Sequence, residues 1–343
     1  MDDGVAQLAE VIAADLATWE TPPYVELAIY GTSDARAIAG EVDAFCRREL
    51  GGAVARGLLH TASVGSVTAV ELVDGRRVVV KAHQPERALP WLQEVVRVQM
   101  HLASRGLWAT TVCGGPAPIG RGLAIVEAFV ARGATRDGHE PAVRAALARG
   151  LHELVDACRP LVAGSTLCGA LLTDPPADRL WPTPHSKLFD FSRPVEWIDD
   201  VARAARARMQ PAGELVIGHG DWRAEHVRFE GDRIVGAFDW DSLCKEREPA
   251  LIGYTAHAFC ADWSRTPPAA APTLDEARAF VAEYERARGR SLSADERRLC
   301  GAAFAYSCAY TARCVWSLGR DERGEPGTFQ RLVASHGPTL MEL

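Results

Sequence analysis

The stretch VIGHGDWRAEHVRFEGDRIVGAFDWDSL, residues 216–243, is the densest polar cluster in the chain. Apolar Val216 and Ile217 lead into His219-Gly220-Asp221, and a short hairpin turning at Gly231-Asp232 returns through Ile234, Val235 and Phe238 to Asp239-Trp240-Asp241. Acidic residues therefore sit at the ends of apolar strands, where an uncompensated buried carboxylate costs several kcal/mol. A bound cation supplies that compensation. Asp239 and Asp241 are two residues apart, so an extended chain directs both to one side.

Outward from this cluster, the N-terminal part reads as helix, then sheet. Residues 1–19 carry apolar Val5, Leu8, Ile12 and Leu16 at helical spacing behind two acids, unlike a signal peptide, and a second helical segment covers 34–50. Short β-rich runs follow at 57–60, 66–73 and 76–83, the last two joined by Asp74-Gly75, a tight hairpin signal. A helix is expected over 85–105, with Leu89, Leu92, Val95, Val96 and Leu102 as its apolar stripe, then a Gly/Pro-broken segment and a strand at 123–130. The remainder is mostly helical, with a Pro-rich loop near 174–184 and an uncharged buried helix at 299–312. At 14 residues that run falls short of the ~18 needed to span a bilayer. The fold class is α+β, with N-terminal helices followed by a small antiparallel sheet plus one helix in residues 1–130 and a larger helical lobe in 131–343. A crevice between such lobes is the expected ligand site.

Composition narrows the partners. The 343 residues are 48% hydrophobic with a net charge of -7, so no nucleic-acid or anionic-membrane footprint exists and a small molecule is the expected partner. Nine cysteines without a C-x-x-C pair imply free thiols in a reducing cytoplasm. Only three of 38 basic residues are lysine (Lys81, Lys187, Lys245), and asparagine is absent, as GC-rich DNA would produce. That scarcity gives weight to Lys81, which lies in the apolar strand VVVKAH with Glu94 following 13 residues later in the next helix.

His219-Gly220-Asp221, then Asp239-Trp240-Asp241 18 residues beyond Asp221, together with Lys81 and Glu94, resemble the aminoglycoside phosphotransferase and choline kinase relatives of the protein kinases. The resemblance covers about 57–259. It implies a two-lobe protein-kinase-like fold and an ATP- or GTP-dependent kinase that moves the γ-phosphate to a hydroxyl of a small molecule, with Mg²⁺ or Mn²⁺. It implies Asp221 as the base or orienter of the hydroxyl, Asp239 as metal ligand, and Lys81, held by Glu94, on the phosphates. His219 becomes a structural residue of the loop, and Arg223 a guanidinium near the transferred phosphate. Gly65 and Ser66 are the best candidates for the phosphate loop, and residues 127–130, with Glu127 and Phe129, for a hinge offering backbone groups to the purine.

One departure bears on chemistry: where the family carries a metal-binding Asn this chain has His226, and imidazole suits softer ions than Mg²⁺. His226 is then expected to act as a poor or water-mediated ligand. Two rivals remain: a catalytically impaired kinase-like nucleotide-binding protein, and a metal-dependent hydrolase using His219, Asp221, His226, Asp239 and Asp241. The 27 basic and 30 acidic residues of 131–343 argue against a polycationic acceptor, although Asp190, Glu196, Asp199 and Asp200 could line an acidic pocket or else begin a helix.

Overall fold

The computed structural model describes residues 2–19, 22–170, 178–263 and 270–343. The Pro-rich stretch 174–177 lies outside them. The chain divides into two compact units, residues 1–104 with 109–131, and residues 105–108 with 132–343.

In the first unit, helices α1 (Asp2–Leu16), α2 (Tyr24–Tyr30) and α3 (Ala35–Leu50) precede strands β1 (Val54–Ala62), β2 (Ser66–Leu72) and β3 (Arg77–His83). Helix α4 (Leu89–Ser104) and strands β4 (Val112–Ile119) and β5 (Gly122–Ala128) complete it. The sheet is antiparallel in the order β1-β2-β3-β5-β4. Asp34 caps α3 by accepting from the Ala37 N–H, and Gly75 makes the β2–β3 turn at φ 84°.

Strand alternation sorts side chains onto two faces. Val78, Val80 and Ala82 of β3 and Ala124 and Val126 of β5 join one core with Leu8, Ile12, Ile29, Val42 and Phe45 of α1–α3. Lys81 and Glu127, at odd positions between them, face the other side, where Gln99 of α4 donates to the Glu127 carboxylate at 2.9 Å. Glycine permits the tight stacking of α1 on β1: a Cβ at Gly4 would meet the Val54 carbonyl oxygen at 2.2 Å. Helices α1–α3 thus cover the first face, and α4 the other. Two elements lie beyond those expected from the sequence: α2, a short helix started by proline, and β4, whose glycines and prolines are tolerated because it is an irregular edge strand.

The second unit holds α5 (Pro141–Cys158), α6 (Glu196–Arg208), α7 (Glu248–Ala258), α8 (Leu274–Arg288), α9 (Ala294–Ser317) and α10 (Phe329–His336). Two small antiparallel ladders accompany them: β6 (Leu215–His219) with β9 (Leu243–Arg247), and the hairpin β7 (Val227–Glu230) with β8 (Arg233–Ala237). The uncharged part of α9 is buried and packs on α6, α7 and α10. Where α7 crosses α9, a Cβ at Gly253 would meet the Cys300 carbonyl oxygen at 2.0 Å. Among the described residues, no helix is long and apolar enough to cross a membrane.

A buried ionic network ties three of these helices together. Arg288 Nη2 of α8 lies 2.7 Å from Glu248 Oε2 of α7 and 3.0 Å from Glu296 Oε1 of α9, while Tyr284 donates to Glu248 at 2.9 Å. Glu296 also completes a capping box with Ser293. Burial works against its charge, but the Ser293 N–H, Arg288 and Arg290 outweigh it and hold the carboxyl down at about 2. A carboxylate that releases its proton more readily when folded stabilises the fold above its unfolded value of 4.5, and that contribution drains away as pH falls toward 2. Glu296→Gln is therefore expected to flatten the loss of stability between pH 4.5 and 2 in denaturant unfolding at stepped pH. An unchanged slope would contradict this.

Candidate active site

In the second unit, the β6–β9 ladder brings the ends of the 216–243 stretch together. Gly220 N–H donates to the Ser242 carbonyl at 2.7 Å, and a Cβ at Gly220 would meet that oxygen at 2.9 Å. Fully buried His219 spans the two halves: its Nε2 bonds the Phe238 carbonyl at 2.8 Å and its Nδ1 accepts from the Asp221 N–H at 3.1 Å. These partners require the Nε2–H tautomer. Burial pushes the imidazole down, so it stays neutral at physiological pH. His219 thus positions the backbone beside both Asp221 and Asp239.

Two tryptophans wall this histidine and a third backs them. Trp108 stacks against Trp240 with centroids 5.9 Å apart and tilts onto Trp222 at 4.7 Å, and His219 meets Trp222 and Trp240 edge-on. Each inner indole is hydrogen-bonded, Trp222 to the Leu147 carbonyl and Trp240 to that of Ala237. Trp108 belongs to no motif; its backbone carbonyl accepts from Ala237 N–H, which places residues 105–108 in this unit.

Asp239 has φ 63° and ψ 43°, the one non-glycine residue with positive φ among those described. A short polar side chain tolerates this left-handed conformation. A single 3-10 turn, Trp240–Ser242, follows, and Ser242 Oγ donates to Asp239 Oδ2 at 2.8 Å. The extended-chain reading of Asp239 and Asp241 is thereby corrected: the turn breaks the two-residue alternation that would have directed both one way.

Arg223 is at the centre of the charged cluster. Its Nη1 reaches both Asp221 oxygens at 2.5 and 2.7 Å, its Nε donates to Glu225 at 3.0 Å, and its Nη2 approaches His226 Nε2 at 3.1 Å. Burial opposes its charge, yet Asp221, Glu225 and Asp239 more than compensate and raise it above its ordinary value. A guanidinium only donates, so His226 Nε2 is the acceptor and Nδ1 carries the proton toward the Asp221 carbonyl, 3.0 Å away. One ligand-type atom each from Asp221, His226 and Asp239 lies within 4.8 Å of the others. Two carboxylates and an imidazole at this spacing fit a divalent cation, with the carboxylates as its hard-oxygen donors.

The acids proposed for a pocket serve local structure instead. Buried Asp199 accepts from Trp181 Nε1 and the Val195 N–H at the start of α6, Asp190 accepts from the Ser192 N–H, and Asp200 pairs with Arg203. Glu196 and Asp199 lie in the first turn of α6, where a helix favours negative charge. Residues within electrostatic reach of Asp221 and Arg223 are instead His185, Tyr254 and His257. His185 Nδ1 bonds Tyr310 Oη at 3.0 Å, and the rings of Tyr254 and His257 stack at 5.3 Å. Burial lowers both histidines, His257 to about 4, and raises Tyr254. None of these carried a sequence signal, because they come from a loop and helices remote in the chain.

The remaining predicted residues belong to the first unit. Lys81 of β3 is buried, opposite Val67 of β2 and Ile125 of β5. Buried Glu94 of α4 receives Arg97 Nε and Nη2, each at 2.7 Å. Gly65 packs over β3, where a Cβ would meet the Ala82 carbonyl oxygen at 2.8 Å. Ser66 is buried with its hydroxyl 3.3 Å from Tyr30 Oη. The Phe129 N–H is committed to the Arg77 carbonyl at 3.1 Å.

A family model described as "Phosphotransferase enzyme family" matches residues 63–246, more than half of the chain. The chain belongs to this family. The phosphotransferase, compared by sequence with curated proteins, matches none of them. Among solved structures it resembles an amicoumacin kinase in complex with AMP-PNP, Ca²⁺ and Ami, at 11% identity and TM-score 0.57, covering 82% of this chain and 89% of that one. A spectinomycin phosphotransferase in complex with ADP and spectinomycin follows at 10% identity and TM-score 0.52, with coverage of 86% and 97%. A choline/ethanolamine kinase family protein from Mesorhizobium loti gives 14% identity and TM-score 0.50, with coverage of 89% and 95%. The phosphotransferase accordingly has the kinase-like fold.

Proposed function

We propose that this phosphotransferase moves the γ-phosphoryl group of ATP or GTP to a hydroxyl of an uncharged or weakly charged small molecule. The observation that carries this reading is the convergence of Asp221, His226 and Asp239 around Arg223. The acceptor oxygen forms the new bond to phosphorus as the bond to the bridging oxygen breaks, and the hydroxyl proton passes to Asp221. Asp239 would hold the divalent cation, which when bound neutralises charge on the phosphates. Arg223 orients Asp221 through both carboxylate oxygens, and its guanidinium offers positive charge where phosphoryl charge develops. Lys81, supported by Glu94, is assigned to the nucleotide phosphates, with Gly65 and Ser66 as the loop above them. With the Phe129 N–H engaged, the purine would be read by other backbone groups of 127–130. The acceptor site falls to His185, Tyr254, His257 and Tyr310, four residues that bring no carboxylate to pair with a polycation.

A nucleotide-consumption screen tests this, with ATP and GTP, Mg²⁺ and Mn²⁺, and a panel of amino sugars, nucleosides, neutral antibiotics and amino alcohols. Consumption that depends on an added alcohol supports it. Nucleotide binding without transfer to any acceptor favours the second reading, a restrained nucleotide-binding protein. The grip of Arg223 on both Asp221 oxygens is the observation on that side.

His226 offers its own test. Both ring nitrogens are engaged, so direct ligation would require Arg223 Nη2 to leave. An amide oxygen at this position presents a hard donor to Mg²⁺. His226→Asn is therefore expected to keep or raise Mg²⁺-dependent kcat and to lower the ratio of Mn²⁺ to Mg²⁺ activity. Complete loss of turnover in a folded variant would refute the role given to His226.

A further inference from the structure

The first unit contains a second group of ligand-type side chains that phosphoryl transfer does not use. Asp15 near the end of α1, Glu26 of α2 and His60 of β1 each bring one such atom within 4.8 Å of the others. Glu26 is 0% and His60 3% exposed. Among the described residues, neither Glu26 carboxylate oxygen nor His60 Nε2 has a hydrogen-bond partner. The other nitrogen of the ring, Nδ1, is tied at 2.9 Å to the hydroxyl of buried Thr68, its cross-strand partner on β2. That bond orients the imidazole and leaves Nε2 directed at Glu26, as the outer partner of a metal-bound histidine does.

The separation of the pair is longer than a direct hydrogen bond and leaves room for a shared ion. Glu26 Oε1 and His60 Nε2 are 3.5 Å apart. An imidazolium donating to a carboxylate would close to about 2.7–2.9 Å. Two ligands on a tetrahedral ion, each bonded at about 2.0–2.1 Å, stand roughly 3.3 Å apart. The pair matches the second geometry. Two carboxylates would cancel a divalent charge, removing the penalty of several kcal/mol that an unpaired buried carboxylate carries. Asp15 is only partly buried, so it gives the ion a path from solvent and room for water as a further ligand. One imidazole and two carboxylates suit Zn²⁺ better than Ca²⁺, which takes six to eight oxygens.

We propose that Asp15, Glu26 and His60 form a structural Zn²⁺ site that fastens α1 and α2 to the sheet at β1. The site is independent of the phosphotransfer reading and is tested without an activity assay. The full chain carrying Asp239→Asn, which weakens the other cluster, is stripped with a chelator and titrated with Co²⁺ as an optical probe. About one Co²⁺ per chain with the visible absorption of a low-symmetry four- or five-coordinate site is expected, displaced by Zn²⁺, and Zn²⁺ should raise the thermal midpoint. Adding Asp15→Asn, a partly exposed change the fold tolerates, should weaken Co²⁺ binding at least tenfold, and Glu26→Gln should abolish it. No Co²⁺ uptake by the Asp239→Asn protein would overturn the proposal. So would uptake with affinity and spectrum unchanged by Asp15→Asn, a result that stands even if Glu26→Gln fails to fold.

Discussion

Asp221→Asn is expected to lower phosphoryl transfer about 10²–10⁴-fold while leaving nucleotide binding largely intact. The amide keeps the volume of the carboxylate and still takes the bond from the Arg223 guanidinium, but it cannot accept a hydroxyl proton. The backbone contacts of this loop, from Asp221 N–H to His219 and from Gly220 N–H to Ser242, do not involve the side chain, so the loop should hold its shape. Single-turnover transfer with saturating nucleotide, alongside a direct nucleotide-binding titration, separates the two effects. If the variant transfers phosphate at the normal rate, Asp221 is not the base. If it loses nucleotide affinity in the same proportion, its role is in binding rather than chemistry.

The largest effect on stability is expected at Arg288. Its side chain is 2% exposed and is the cation facing both Glu248 and Glu296, which are themselves buried. Arg288→Ala leaves two carboxylates facing each other without that charge, so the expected loss is about 3–5 kcal/mol. In a protein of this size the corresponding fall in Tm is on the order of 10 °C. Denaturant unfolding and a thermal scan both read it. Replacing Arg288, Glu248 and Glu296 together by apolar residues of similar volume should recover much of the loss, because the desolvation cost then disappears with the charges. A single variant as stable as the parent would show that the network contributes nothing net.

Much of the architecture was legible along the chain because it rests on local patterns. Asp74-Gly75 with alternating apolar flanks marked the β2–β3 hairpin, Gly231-Asp232 marked the β7–β8 hairpin, and the uncharged run 299–312 marked the buried centre of α9. Helix α2 and strand β4 escaped because neither carries its own periodicity: seven residues are too few for a helical stripe, and an edge strand with bulges needs no alternation. The same limit explains Trp108, His185, Tyr254 and Tyr310. They reach the neighbourhood of the catalytic candidates through packing between distant segments, and no spacing rule connects residue 108 with 222 or 185 with 310.

The motif His219-Gly220-Asp221 with Asp239 was determined by sequence alone, since residue type and separation across one short hairpin suffice to bring the ends of two paired strands together. So was the substitution at His226. Tertiary structure alone decided how those residues are wired: Asp239 in a left-handed conformation ahead of a 3-10 turn, Arg223 bridging Asp221 and His226, and His219 locking both halves of the loop under a tryptophan wall. Tertiary structure alone also joined Asp15, Glu26 and His60, which lie on three elements with no shared pattern. The physical reason is the range of each signal. Strand and turn geometry act over a few residues and leave their record in the order of the chain, whereas hydrogen bonds, charge pairs and ligand sets form wherever packing places their partners.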